Sequence, residues 1–304
     1  MDVVSDAVAA VRLGRPSARR VRVAGRWCVR FARYDGAGFH VVREGRAWLL
    51  PDAGAPVALR AGDAVLLPHG TGHVLADSPA DAAAVARAVP FERWDPASVT
   101  GAGGGEVEMV CGKYRLDRRR VHPLLAGLPA VIHLPGRAGD HAELRGALDL
   151  LTGELDARRP GSGTVLPSLL DLLLVHMIRV WLDRETGGAR PGAPEDPVTA
   201  AALRALHEDP AAPWTTERLA AAAGVSRATL ARRFTDRVGR PPMAYLTWWR
   251  LTLAATWLRD TTDPLAAIAR RVGYGSPYAL SHAFSREFGI TPGRYRARAT
   301  AAAA

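Results

Sequence analysis

One pattern occurs twice in the last third of this 304-residue chain, and it restricts the fold more than any other feature of the sequence. The first copy reads L-A-A-A-A-G-V-S from Leu219 to Ser226 and runs on to Phe234; the second reads I-A-R-R-V-G-Y-G-S from Ile268 to Ser276 and runs on to Phe284. In each, an alanine stands four residues before a glycine: Ala220 before Gly224, and Ala269 before Gly273. A small residue lets two helices cross closely, and a glycine accepts the left-handed turn between them. Ser226 and Ser276 are placed to cap a second helix, and the pairs Leu230/Phe234 and Leu280/Phe284, four residues apart, pin that helix to its partner. Two such pairs joined by a long helical segment predict a duplicated all-α unit.

From Pro197 to Arg296 the chain resembles the AraC/XylS transcription regulators. The two turns carry the resemblance, together with W-W-R-L-T-L-A-A-T-W-L from Trp248 to Leu258 and F-G-I-T-P-G-R-Y-R from Phe288 to Arg296. It implies two helix-turn-helix subdomains on one linker helix, each placing a recognition helix in successive major grooves of promoter DNA, with RNA polymerase as a further partner. Helix geometry, at about 100° per residue, orients the faces. With Leu230 and Phe234 inward, Arg232 points away, flanked by Ala228, Thr229 and Asp236. With Leu280 and Phe284 inward, His282 points away, flanked by Tyr278 and Arg286. The resemblance puts base reading on Ala228, Ala231 and Arg232, and on Tyr278 and His282. An arginine there can bond guanine O6 and N7 with both arms; a histidine donates to guanine or phosphate; a tyrosine meets a thymine methyl or a phosphate. Phosphate contacts are expected at the helix starts, Ser226 and Ser276, and from Arg227, Arg233 and the Arg250 end of the linker helix. Trp248, Trp249 and Trp257 read as core.

The first part of the chain has a different period. After a short amphipathic helix predicted over Met1–Leu13, V-R-V from Val21, W-C-V-R-F-A-R-Y and F-H-V-V-R-E-G-R-A-W-L-L alternate in the manner of strands, with a turn at Glu44-Gly45. Further strands are expected between Leu59 and Ala76, over Ala82–Val89 and over Val107–Leu116, with a mobile Gly-rich loop at Gly101–Gly105 and a helical turn and closing segment over His122–Pro135. Short strands at short intervals predict a β-sandwich or barrel. Gly62, Pro68, Gly70, His73 and Asp77 stand at the spacing of the second cupin motif, with aspartate where asparagine is usual. The first motif is mostly missing: Gly38 occupies the usual metal-binding glutamate position, and only His40 shares its strand face. This cupin-like resemblance covers about residues 20–135. It points to a ligand pocket at His40, His69, His73 and Asp77, with a metal at His40/His73 as one use of it and hydrogen bonds to loop backbone as another.

Helical patterns over Asp140–Arg158 and Leu166–Arg184, split by P-G-S-G, follow. Leu166, Leu169, Leu170, Leu173, Met177, Val180 and Trp181 form a helical stripe. In the family resembled, self-association occurs at this place, so the pair is expected to make a homodimer. Gly187–Asp196, dense in glycine and proline, reads as a linker. The expected organisation is therefore a cupin-like sensor domain over residues 1–138, a helical pair over 139–186, a linker over 187–196 and a double helix-turn-helix domain over 197–304. The fold class is α+β multidomain.

Charge agrees with a nucleic-acid partner. The chain carries 40 Lys+Arg against 30 Asp+Glu. From Asp196 onward there are 15 arginines and 8 acidic residues, so +7 of the net +10 falls on the last third. Two cysteines exclude a disulfide framework and a four-thiolate zinc site. Cys28 and Cys111 lie in strand-like segments beside Arg26, Arg30, Lys113 and Arg115, which offers an oxidant-sensing alternative to small-molecule sensing. No signal-peptide core is seen and no uninterrupted run of eighteen apolar residues occurs, Leu166–Leu182 being broken by Asp171, His176 and Arg179. A cytoplasmic, nucleoid-associated regulator without a membrane partner is expected. The sequence shows no nucleophile/base constellation, phosphate loop or complete metal motif, so no enzyme is expected. The alternatives are a cupin-type metal enzyme fused to a DNA-binding module and an architectural DNA binder whose barrel only dimerises.

Overall fold

A computed structural model describes residues 12–79, 82–99, 105–116, 125, 127–136, 141–157, 159–185 and 196–303. The chain divides into two compact units, one built from Arg15–Arg119 with Leu125–Ala189, the other mainly from Arg190–Ala304.

In the first unit, ten strands among the described residues form two five-stranded sheets. One sheet has the order β1 (Arg12–Val23), β9 (Val107–Leu116), β3 (Gly36–Glu44), β6 (Ala64–Leu67), β10 (Ile132–Leu134). The other has the order β5 (Val57–Arg60), β4 (Arg46–Pro51), β7 (His73–Ala76), β2 (Cys28–Phe31), β8 (Val89–Pro90). Alternation decides what lies between them: Val42, Val65, Met109 and Cys111 from the first sheet meet Val29, Leu49, Leu59 and Leu75 from the second. The opposite face of the first sheet is also buried, with Phe39, Leu66, Val110 and Tyr114 at 0 % exposure. Two helices, α2 (Ala142–Ala157) and α3 (Ser162–Glu185), belong to this unit, and the Tyr114 hydroxyl donates to the Leu170 carbonyl. By length and apolarity alone α3 would suit a bilayer, but here Leu170, Leu173, Leu174, Met177 and Ile178 are buried within the unit.

A buried carboxylate locks the helical pair to the sheet. Glu108, on the helix-facing side of β9, accepts from Arg20 Nη2 at 2.7 Å and Arg22 Nε at 2.6 Å, with Arg43 Nε at 3.4 Å. Arg43 also reaches Asp149 at 3.1 Å and Thr152 at 3.0 Å on α2, and Arg20 pairs with Asp156.

The second unit is helical: α4 (Pro197–Glu208), α5 (Thr216–Ala222), α6 (Arg227–Val238), α7 (Pro242–Asp260), α8 (Leu265–Arg271), α9 (Pro277–Phe288) and α10 (Pro292–Ala303). The long α7 serves two cores. Its Tyr245, Leu246, Trp248 and Trp249 pack with Leu206, Leu219, Leu230 and Phe234; its Leu251, Ala254, Ala255 and Leu258 pack with Ile268, Val272, Leu280 and Phe284. The repeat extends to an edge-on ring pair in each core, Phe234 with Tyr245 at 5.6 Å and Phe284 with Tyr295 at 5.4 Å. Trp248 and Trp249 are core, as their spacing predicts, and Trp257 is half-buried beneath Arg271.

Several local expectations fail for identifiable reasons. The predicted strand over Ala82–Val89 is instead a short helix, α1 (Ala82–Ala86), followed by the two residues of β8; four of those five helical residues are alanine, the best helix former. Strand β1 begins at Arg12 rather than Val21, because ladder pairing extends through R-L-G-R-P-S-A-R-R, which lacks β-branched alternation; Met1–Val11, the rest of the predicted helix, lies outside the described residues. In W-C-V-R-F-A-R-Y only Cys28–Phe31 is strand. Helix α3 starts at Ser162, so Ser162 and Gly163 of the expected break are helical and Pro160-Gly161 remain outside the helix. The Gly101–Gly104 loop, the segment His122–Leu124 and the linker residues Gly187–Glu195 also lie outside the described residues.

Candidate functional sites

The C-terminal unit presents two helix faces. Gly224 and Gly273 take left-handed φ of 68° and 76° at the two turns. Ser226 then caps α6, its side chain accepting from the Thr229 amide at 3.2 Å, and Ser276 caps α9 by accepting from the Ala279 amide at 3.1 Å. Both helices close on a left-handed glycine, Gly239 and Gly289, a repeated stop signal not used in the sequence reading. With Leu230, Phe234, Leu280 and Phe284 at 0 % exposure, the opposite faces follow from the helical period. Ala228, Arg232 and Asp236 are exposed on α6, with Thr229 and Ala231 half-buried at its flanks. On α9, His282 and Arg286 are exposed and Tyr278 is 85 % exposed.

The other basic candidates differ. Arg227 pairs with Glu217 at 2.8 Å while remaining exposed, and Arg233 pairs with Asp196, the α4 cap, at 3.0 Å. Arg250 is only partly exposed. Its Nε donates to the Pro210 carbonyl at 2.7 Å and its Nη2 to the Ala212 carbonyl at 2.8 Å, and the group is half-buried. It was expected to contact phosphate; here two of its donors are held by backbone carbonyls of the same unit.

In the N-terminal unit the structure brings together two of the four expected pocket residues. His40 on β3 and His73 on β7 are both 3 % exposed, and their Nε2 atoms lie 2.8 Å apart. The proton positions follow by elimination. His73 Nδ1 lies 2.8 Å from the Thr71 carbonyl, which only accepts, so Nδ1 carries the hydrogen. His73 Nε2 is then a lone pair that receives the His40 Nε2–H. His40 Nδ1 is left as a bare lone pair, buried and without a partner among the described residues. Both rings are neutral: burial holds His40 well below the usual imidazole range and brings His73 down to about 4. Phe31 stacks on His73 at 4.8 Å and on Phe91 at 4.4 Å, and meets His40 edge-on. Tyr34 packs over Gly38, where a Cβ would come within 3.0 Å of its hydroxyl, and that hydroxyl is itself buried without a partner among the described residues. Tyr34 thus fills the space left by the missing glutamate, a substitution that no motif spacing would reveal.

His69 and Asp77 are elsewhere. His69 Nε2 donates to the Leu128 carbonyl at 2.8 Å. Asp77 follows the far end of β7, four residues and about 13 Å of strand from His73, where it accepts from the Trp27 amide at 3.0 Å. The histidine pair does not fit a metal. Two nitrogens on one tetrahedral zinc stand roughly 3.3 Å apart, wider than the 2.8 Å seen, and among the described residues no group of three His, Cys, Asp or Glu is placed to hold an ion. On β9 the strand partner of His40 is Cys111, whose thiol burial pushes up to about 12, so it is not a thiolate ligand. Burial, and then Asp77, also raises the Cys28 thiol against Arg30, which runs counter to the expected activation of the two cysteines by neighbouring cations. An open cleft lies away from the histidines, lined by Arg19, Arg20, Arg22, Glu154, Asp156 and Ser162, with its main charges already paired.

Comparison with known proteins places these features. Residues 2–183 match the cupin family and residues 219–298 match a helix-turn-helix domain family. An AraC-like transcription regulator of Streptomyces lividans is 36 % identical over 304 residues, covering 99 % of each chain. The HTH-type transcriptional regulator MtrA of Neisseria gonorrhoeae is 29 % identical, covering 97 % of this chain and 98 % of that one. Among solved structures, the DNA-binding domain of AdpA in complex with a target DNA is 34 % identical, covering 35 % of this chain and 96 % of that one with a TM-score of 0.33. The chain belongs to the AraC-like transcription regulators, with a cupin N-terminal domain and an AraC-type helix-turn-helix domain, and is a DNA-binding regulator rather than an enzyme.

Proposed function

We propose that the C-terminal unit is a double helix-turn-helix that reads two adjacent major-groove segments, and that the cupin domain, with a barrel-like core, senses a small molecule and adjusts promoter binding and contact with RNA polymerase. The observation that carries the DNA reading is the paired geometry of α6 and α9. Each buries a Leu/Phe pair and exposes the opposite face, with Arg232 on one and Tyr278 and His282 on the other. Arg232 suits guanine O6/N7, with Ala228 and Ala231 allowing close approach; Ser226, Arg227, Thr229, Arg233, Ser276 and Arg286 suit the backbone. Arg232→Ala should weaken binding to the cognate site by roughly 1–3 kcal/mol and leave binding to random DNA nearly unchanged. Footprinting of the full chain followed by titration on both DNAs tests this; equal losses on both would assign Arg232 to phosphate.

For the sensor, the His40 lone pair supports a small neutral effector carrying an O–H or N–H donor and an apolar body that exchanges with Phe31, Phe91 or Tyr34. The raised thiols favour this over oxidant sensing at Cys28 and Cys111. A promoter response that survives Cys28→Ser/Cys111→Ser but is lost in His40→Phe is the expected outcome.

A further inference from the structure

Arg250 lies where three pieces of the C-terminal unit meet. The Pro210 and Ala212 carbonyls it bonds belong to the loop between α4 and α5, in the first of the two cores. That loop is itself pinned: Asp209 accepts from the Ala211 and Ala212 amides at 3.1 and 3.0 Å, and Trp214 Nε1 donates to the Asp209 carbonyl at 2.8 Å. On the other side stands Gly273, in the turn between α8 and α9 of the second core. A Cβ there would lie 2.8 Å from the Ala211 Cα, 2.8 Å from the Ala211 carbonyl oxygen and 2.8 Å from Arg250 Nη2. The matching turn of the first copy, at Gly224, has nothing within 4 Å of such an atom. The repeat is therefore asymmetric, and only its second turn is seated against the first subdomain.

We propose that Arg250 is a positioning residue for DNA recognition: with Ala211 and Gly273 it forms a rigid joint that sets the distance and angle between α6 and α9, so that two half-motifs are accepted at a single spacing. The proposal rests on the double helix-turn-helix reading above. The residue types suit the task. A guanidinium offers donors in fixed directions in one plane, which is what bridging two carbonyls requires, whereas an ammonium is a mobile point charge. The absent side chain at Gly273 lets the second turn sit directly on backbone. Rigidity matters because inserting one base pair shifts the second half-motif by about 3.4 Å along the duplex and about 34° around it. A stiff joint cannot follow that movement; a loose one can.

The test uses the full chain. Selection from a random DNA pool defines the two half-motifs, and affinity is then measured on sites shortened or lengthened by one base pair. Wild type should lose at least about tenfold on either altered site. Arg250→Ala and Gly273→Ala attack the joint from opposite sides, and each should cut that discrimination to below about threefold while retaining both half-motif sequences. Arg250→Lys should behave like Arg250→Ala, because it keeps the charge and loses the fork. Should Arg250→Ala fail to fold, Arg250→Gln, which keeps one donor, takes its place. Unaltered spacing preference in folded variants on both sides of the joint would overturn the proposal. So would a uniform loss of affinity at every spacing that Arg250→Lys restores, since that marks a phosphate contact. A wild-type selection returning no bipartite motif would instead overturn the underlying reading, and the proposal with it.

Discussion

His40 and His73 share one hydrogen bond between two neutral rings, and their neutrality creates a pH window. An unfolded imidazole takes a proton near pH 6.5, while buried His73 takes one only near about 4. Between those values the unfolded chain binds more protons, so stability present above pH 6.5 is lost as pH falls toward 4. For His73 a gap of that size is worth on the order of 3 kcal/mol, and His40 acts in the same direction. Thermal unfolding between pH 7 and 4.5 should show the loss, and His40→Gln/His73→Gln should flatten it. Equal slopes in both proteins would mean that the rings are not a neutral pair. The meeting of these two histidines was legible in the motif spacing, because alternation on a strand fixes which residues face inward. Arg250 was not legible. Helix α7 buries residues around most of its circumference, from Tyr245 through Leu258, so no polar face marks which way an arginine turns.

At the scale of elements, helices α6 and α9 were the most readable part of the chain. Their capping serines, turn glycines and Leu/Phe pairs are all local, and each signal agrees with the others. The anchoring of α2 was not readable, because it joins residues more than eighty positions apart. Only the alternation V-E-M-V-C hinted that Glu108 lies on the face opposite Met109 and Cys111, and nothing local said that helices cover that face. Arg20 chiefly, then Arg22, holds its carboxyl below the usual range despite burial. A depressed carboxylate stabilises above its unfolded value, and that contribution is lost as pH falls through the folded one. Glu108→Gln keeps the shape and removes the charge; it should cost roughly 1–3 kcal/mol in denaturant unfolding at pH 7, with a smaller difference near pH 3. A difference that grows on acidification would contradict the role assigned to the carboxylate. Because Arg43 links Glu108 to Asp149 and Thr152, the same substitution should also raise hydrogen exchange along α2.

For the whole molecule, the remaining question is how copies combine on DNA. Among the described residues five large apolar side chains are exposed, and three of them, Leu150, Val165 and Leu172, are on the α2–α3 pair. Val165 and Leu172 are seven residues apart on α3, so they share a face, while Leu170, Leu173 and Met177 point into the unit. The helical stripe seen in the sequence therefore serves mainly as core, and Val165 and Leu172 form a separate exposed line outside it. We expect this line to pair with the same line on a second copy, giving a two-fold dimer that places four recognition helices on repeated sites. At tens of micromolar the full chain should sediment as a dimer. Leu150→Glu/Leu172→Glu puts carboxylates into the contact without disturbing a buried position, so it should sediment as a monomer with wild-type thermal unfolding. Affinity for a single site should then stay within about twofold of wild type, while affinity for paired sites falls at least about tenfold, because the second event loses its high effective concentration. A wild-type monomer at that concentration, or a double variant that still dimerises, would remove α2 and α3 as the interface.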